Sequence, residues 1–222
     1  SMLGAARVLA RFDIHVVGVN RGNLGFLTDI HPDDIVQQLD LIFNGECVVE
    51  ERFLLEVEVY RHEKLKSNNS AVNEVVLHHG KVAHMMEFEI YIDEQFVFSQ
   101  RSDGLIVATP TGSTAYSLSG GGPIVHPEVK AITLLPMFPQ SLSSSSLIVK
   151  DSSLIKVVLT KSGSSCQVSF DSQDKINFKG KKEITISKSS SQLTLIHPLG
   201  HDFYGGCRNK LGWSMGIVNP SK

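Results

Sequence analysis

Between Asp103 and Gly122 the chain strings small hydroxyl residues among glycines, DGLIVATPTGSTAYSLSGGG. Such a string is poor core material. It leaves backbone N–H groups and hydroxyls open to a polar ligand, and a helix running from about Ser113 to Ser119 would add its positive end. Tyr116 offers a flat ring beside those donors, a pairing suited to a nucleoside. Residue by residue, the same letters also read as a strand, a tight turn and a helix cap, ended by Gly120–Gly122 and Pro123. A second pair with chemical capacity is Asn73–Glu74, at the head of VNEVVLH. A carboxylate accepts from both hydroxyls of a ribose, and an amide donates and accepts at once. Neighbours on a strand point to opposite faces, so both can serve one ligand only if the strand begins or bulges there. Two solvated polar residues at a strand entrance fit the same letters equally well. Asp103, in RSDG, is by itself a turn residue.

Other constellations carry less. His78, His79 and His84 lie close in sequence, but Gly80 and the strand pattern break helical i, i+4 pairing, and no carboxylate is marked to complete a metal site. Gly212–Trp213–Ser214–Met215–Gly216 matches the letters G-x-S-x-G, yet a hydrolase of that order needs a histidine downstream and none follows. Neither standard phosphate motif occurs, since Gly18, Gly22 and Gly25 do not fit G-x-G-x-x-G and no G-x-x-x-x-G-K-[ST] is present. Cys47, Cys166 and Cys207 are odd in number and far apart, which suits reduced thiols better than a disulfide frame or a structural metal.

The elements that must position these residues follow from periodicity. Leu3, Val8, Leu9 and Phe12 have helical spacing, and His15–Val19 is a short apolar strand leading into Asn20–Gly25. Pro32 to Phe43, opened by Asp29 or His31 and closed by Asn44–Gly45, is a second helix. After Gly45 the texture changes to short segments rich in Val, Ile, Leu and Phe. These are 47–60, 71–77, 86–92, 95–100, 105–108, 132–135, 154–159, 167–170, 183–186 and 193–196, with a hairpin turned at Asp93–Glu94. Arg61–Ser70 and the serine run 143–146 are expected as loops, and Phe203–Trp213 as a helix. The pattern predicts an α+β fold: a partial α/β layer, then a mainly antiparallel all-β domain of two packed sheets, then a C-terminal helix.

The chain has 222 residues, 41% of them hydrophobic, enough for one good core and a smaller second one. A formal charge of -2 gives no reason to expect nucleic acid or an anionic membrane as partner, and no apolar run reaches the ~20 residues of a membrane-spanning helix. A soluble, cytoplasmic protein is the expectation.

The run TPTGSTAYS, with RSDG before it and GGP after it, resembles the signature segment of the bacterial NAD kinases. VGVNRGNLGFL, VNEVVLH, and IHPLG with KLGW resemble further segments of that family in the same order, so the likeness covers nearly the whole chain. It implies an α/β remnant over 1–45, an all-β NAD-binding domain over 46–197, and a segment 198–222 that returns to the α/β layer. The implied reaction moves the terminal phosphoryl group of ATP, or of polyphosphate in some members, to the 2′-hydroxyl of the adenosine ribose of NAD, with Mg²⁺ carried by the donor and NADP as product. By the same likeness Asn73 and Glu74 grip the ribose beside the nicotinamide, and Asp103 approaches the nicotinamide amide across a subunit boundary. Thr114, Ala115, Tyr116 and Ser119 match the adenosine contacts, while the backbone at Phe138 and the side chain of Asp171 match further ones. A homotetramer is implied as well. The family's Gly-Asp-Gly loop, whose aspartate is the base, is missing from the sequence and is expected before Ser1. These 222 residues alone are therefore expected to bind dinucleotide weakly without phosphorylating it. The alternatives are a non-catalytic dinucleotide-binding or oligomerisation module, and a relative of the lipid kinases, against which the polar character of 103–122 speaks.

Overall fold

Alternation builds the core. Leu55, Val57 and Val59 are fully buried, whereas Glu56 and Glu58 between them are not, as a strand with one face on a core requires. The computed structural model describes residues 2–20, 26–61, 64–80, 84–141, 143–160, 165–179 and 182–212. In chain order the elements are α1 (Met2–Leu9), β1 (Val16–Val17), α2 (Ile35–Phe43), β2 (Cys47–Arg61), β3 (Lys64–Ala71), β4 (Glu74–His78), β5 (Met86–Ile92), β6 (Gln95–Ser102), β7 (Gly104–Ala108), α3 (Tyr116–Ser119), β8 (Ala131–Met137), β9 (Leu147–Lys150), β10 (Ile155–Leu159), β11 (Ser165–Phe170), β12 (Asp174–Lys179), β13 (Glu183–Pro198) and α4 (Phe203–Leu211).

The strands form two sheets, ordered β3-β2-β13-β10-β5-β6 and β12-β11-β4-β7-β8-β9. Every pairing within those two paths is antiparallel. Their inner faces share one core, in which Val57, Phe88, Ile90 and Ile184 of the first sheet meet Leu77, Leu105, Leu134 and Phe170 of the second. The α/β remnant joins this body through β1, which pairs in parallel with the end of β13, Val16 with Leu195 and Val17 with Ile196. α1 closes a smaller core of Ala6, Ala10, Leu54, Val72, Leu193 and Leu195. α4 leans on the same layer, with Lys210 Nζ 3.9 Å from the centre of the Phe26 ring. No helix among the described residues is long and apolar enough to cross a membrane, and the three cysteines are unpaired.

The two-sheet α+β reading holds, and several local expectations are corrected. Residues 64–71 form β3 rather than a loop, with Arg61 ending β2 and 62–63 outside the described residues. β3 is an edge strand whose Lys, Ser and Asn side chains mostly face solvent, so it lacks the apolar alternation by which a half-buried strand is read. The strand expected over 71–77 is broken at Val72–Asn73, where the chain leaves the first sheet for the second. Residues 183–186 and 193–196 belong to one strand, β13, whose register against β2 shifts between Lys188 and Gln192. β9 and β12 were not legible as strands. The helix expected over Ser113–Ser119 is instead a 3₁₀ turn, Thr111–Thr114, a break at Ala115 and the single turn α3. Such a short helix supplies little dipole. The loop 21–25 and the residues from Trp213 onward, including most of the G-x-S-x-G letters, lie outside the described residues.

Candidate functional site

Asn73 sits at the handover between sheets, and the hydroxyl string is folded directly onto it. The Asn73 carbonyl accepts the Thr109 N–H at 2.9 Å, and Thr109 Oγ1 donates to the Val72 carbonyl at 2.7 Å. Gly112 then packs so closely that a Cβ placed on it would lie 2.0 Å from the Asn73 oxygen. Only glycine permits that approach. Ser113 locks the other side of the turn, its Oγ donating to the Pro110 carbonyl at 2.6 Å and accepting the Val125 N–H at 3.0 Å.

Glu74, the first residue of β4, is 2% exposed. Burial pushes its carboxyl up, the neighbouring Asp171 charge pushes further, and the Tyr116 backbone N–H pulls only partly the other way, leaving it at about 7. Its Oε2 and the Oδ1 of Asn73 are buried with no hydrogen-bond partner. Unmatched acceptors of this kind, side by side at a strand start, are capacity held for a donor that is not part of the chain. The condition set by strand geometry is met, because β4 begins at Glu74.

Asp171 stands differently. It lies at the β11–β12 turn in the left-handed region, φ 51°, and its carboxylate accepts the N–H groups of Val72 at 3.0 Å, Asn73 at 2.7 Å and Glu74 at 3.3 Å. Arg7 Nε of α1 is 3.5 Å from the same group, whose side chain is wholly buried. Burial pushes Asp171 up, and the three N–H donors with Arg7 offset part of that. The side chain expected to reach a ligand instead holds the backbone of the Asn73–Glu74 pair.

The outer face of the second sheet carries two clefts that meet at Tyr116. One, of about 560 Å³, runs past Val76, Ser169, Ser172 and Tyr116 to Asp103 and His78. The other, of about 580 Å³, is bounded by Tyr116, Ser119, Gly120, Met137, Phe138 and the serine loop. Tyr116 is 42% and Phe138 77% exposed. Phe138 has φ 44°, which turns its backbone outward at the end of β8. Thr114 and Ala115 are part-buried in the turn and line neither of these two clefts. Asn73, Glu74, Thr114, Ala115 and Tyr116 are therefore brought together, with Ser119 and Phe138 beside them. Asp103 stands apart from Asn73 and Glu74, though it shares the first cleft with Tyr116: it occupies the β6–β7 handover, while Glu74 pairs with Ala108 at the far end of β7. Five residue steps separate Asp103 from Ala108, roughly 17 Å along the strand.

Sequence reasoning missed Arg52. It is buried, and its guanidinium donates to Thr111 Oγ1 at 3.3 Å in the hydroxyl string and to Glu50. The available signal was parity: Arg52 shares a strand face with the buried Leu54, and a charge at such a position needs a partner.

Comparison with known proteins agrees with this geometry. Residues 1–47 match the ATP-NAD kinase N-terminal domain and residues 72–198 the ATP-NAD kinase C-terminal domain. The NAD kinase of Photobacterium profundum is 58% identical over 215 residues, covering 96% of this chain and 73% of that protein. The NAD kinase of Pseudoalteromonas translucida is 59% identical over 214 residues with the same coverage. Among solved structures, yeast NADH kinase complexed with NADH superposes with a TM-score of 0.85 at 27% identity, over 94% of this chain and 62% of that one. An NAD kinase from Archaeoglobus fulgidus in complex with ATP gives 0.68 at 29% identity, over 91% of this chain and 74% of that one. The turn folded onto Asn73 and the two-sheet body behind it are thus parts of a shared enzyme architecture, and the chain belongs to the ATP-NAD kinase family.

Proposed function

We propose that this chain serves the family reaction, transfer of the terminal phosphoryl group of ATP to NAD, by holding the dinucleotide along the outer face of the second sheet. Asn73 and Glu74 hold ribose hydroxyls, and Tyr116, with Thr114, Ala115 and Ser119 about it, seats the adenosine half. The Phe138 backbone borders the adjoining cleft. Asp171 acts as a positioning residue through the backbone of 72–74. Asp103, at the distant handover, contributes at the nicotinamide end in a homotetramer. The donor is ATP, with polyphosphate as a second donor to be tried, and Mg²⁺ arrives with the donor phosphates as part of that substrate. Chemistry of this type consists mostly of positioning and charge neutralisation.

The observation that carries the reading is the joint at Gly112. It sets the hydroxyl string against Asn73 while two acceptors beside it, Asn73 Oδ1 and Glu74 Oε2, stay unmatched. None of the residues above is assigned the role of the base that takes the 2′-hydroxyl proton, and the sequence holds no Gly-Asp-Gly. Two measurements test this. NAD should raise the melting temperature of the 222-residue chain, because a ligand that binds only the native state stabilises it. A coupled assay should then detect no NADP from NAD and Mg·ATP. A melting shift with a diacylglycerol analogue and none with NAD would overturn the binding assignment, and NADP formation would place the base within these residues.

A further inference from the structure

Apart from the dinucleotide clefts, three distant parts of the sequence, at Asp29, Glu50 and the His197–His201 pair, converge where β13 ends. Asp29 Oδ2 lies 2.5 Å from His197 Nδ1 and 2.7 Å from His201 Nδ1. The two imidazoles stack with centroids 4.0 Å apart at 26°. An ionised Asp29 accepts from both Nδ1–H groups, and both Nε2 atoms lie on the opposite side. There they face Glu50: His197 Nε2 is 3.1 Å and His201 Nε2 4.0 Å from Glu50 Oε2. Both Nε2 atoms are buried; that of His197 pairs with Glu50, and that of His201 has no hydrogen-bond partner among the described residues. Burial pushes His197 down, but its bonds to Asp29 and Glu50 outweigh this and leave it at about 9, so its Nε2 proton must leave for a metal to bind. His197 is 2% exposed.

We propose that His197 Nε2, His201 Nε2 and Glu50 form a three-donor site for a divalent transition ion of the zinc type, with Asp29 orienting both imidazoles. Donors 2.0–2.2 Å from a tetrahedral zinc stand about 3.3–3.5 Å from one another, against 3.1 and 4.0 Å from Glu50 to the two Nε2 atoms. A carboxylate on the far ring nitrogen is the usual support for a metal-bound histidine, fixing its tautomer and orientation. Two imidazoles and a carboxylate favour zinc over magnesium or calcium. Among the described residues, the guanidinium in direct contact with these two carboxylates is that of Arg52, on Glu50. Asp29 and His201 also line a cleft of about 420 Å³. The ion would tie the segment before α2, β2, β13 and the turn before α4 into one joint. Through Glu50 and Arg52 that joint reaches Thr111 of the hydroxyl string. The site neither contains nor requires any residue of the proposed dinucleotide pocket.

The test uses the tag-free 222-residue chain, stripped with EDTA and titrated with Zn²⁺ alone, and separately with Co²⁺ as an optical and paramagnetic probe. The expected result is one equivalent bound, with a melting temperature raised by about 5–10 °C at ~100 times Kd. Co²⁺ should broaden the ring-proton signals of His197 and His201 but spare those of the stacked pair His79 and His84. His201→Ala should weaken Zn²⁺ binding at least tenfold, Asp29→Asn by about 10–100-fold, and a His79→Ala/His84→Ala control should leave it unchanged. No stoichiometric binding by the unmodified chain would overturn the site, as would binding that survives His201→Ala. The gap at Glu50 would then be closed by a proton on His197. The Co²⁺ spectra of the unmodified protein decide the question even where a variant fails to fold.

Discussion

Asp171 and Glu74 are buried carboxylates at one crossover, and they are used in opposite ways. Asp171 is saturated: three backbone N–H groups and Arg7 converge on it. Glu74 keeps an oxygen with no partner and a pKa lifted to about 7. The first is a fastener that fixes the backbone of 72–74, and the second is what the fastener presents. A carboxylate whose lone pairs are filled by its own chain has little left for a ligand, so burial alone does not mark a site. Unfilled capacity in a rigid seat does.

The largest effect should come from removing the fastener. Asp171→Ala leaves three buried N–H groups without an acceptor and uncovers Arg7. At about 1–3 kcal/mol for each unsatisfied group, partly relieved by relaxation, a loss of about 3–5 kcal/mol in urea unfolding is expected, and NAD binding should fall with it. A loss under about 1 kcal/mol would show that the crossover is held by Thr109 instead. Next comes Gly112→Ala, which drives a methyl into the Asn73 carbonyl. Overpacking of this kind costs about 1–3 kcal/mol, and the displaced joint should weaken NAD at least tenfold by calorimetry. Unchanged affinity would separate the turn from the pair.

The same contrast explains how much the amino-acid letters alone reveal. Leu55, Val57 and Val59 against Glu56 and Glu58 announce a half-buried strand because burial depends on parity along β2 alone. Asn73–Glu74 and the hydroxyl string were legible as unusual letters, though the contact between them is tertiary and depends on which strands pair. β3 was missed because this edge strand hydrogen-bonds while most of its side chains stay out of the core, and its Lys, Asn and Ser look like loop. Asp171 was legible only by likeness, and then as a contact rather than a support, since nothing local shows a side chain reaching back across 97 to 99 residues to three N–H groups. In the Asp29–His197–His201–Glu50 cluster only His197 and His201, with three residues between them, have a metal-ligand spacing, and both carboxylates come from far away in the sequence.

Glu74→Gln sharpens the comparison by separating binding from stability. Folded Glu74 holds its proton to about pH 7, against the ordinary value of 4.5. Between those limits the unfolded chain has released the proton and the folded chain has not, so the native state binds more protons and stability falls as pH rises from 4.5 to 7. Above pH 7 the cost is constant, on the order of 3–4 kcal/mol as an upper bound. The amide cannot ionise, so Glu74→Gln should melt higher than the unmodified chain at pH 8 and about equally at pH 4.5. It should nevertheless bind NAD about 10–100-fold more weakly, since hydrogen bonds to charged groups contribute about 1.5–3 kcal/mol. A variant that is less stable at pH 8 would make Glu74 a second fastener and erase the distinction drawn from Asp171.

The smallest effect concerns Tyr116, whose ring divides the two clefts while its backbone N–H serves Glu74. Ring and main chain can be tested apart, because substitution changes only the first. Tyr116→Phe keeps the flat surface and should alter NAD affinity by no more than about twofold, whereas Tyr116→Ala should cost about tenfold, the range of an aromatic contact worth ~0.5–1.5 kcal/mol beyond its buried area. Neither change should move the pH dependence of stability, since the N–H on Glu74 remains. If Tyr116→Phe lost as much as Tyr116→Ala, the phenol oxygen rather than the ring face would be the contact. The adenosine half would then be held by hydrogen bonding, as proposed for the ribose at Asn73 and Glu74.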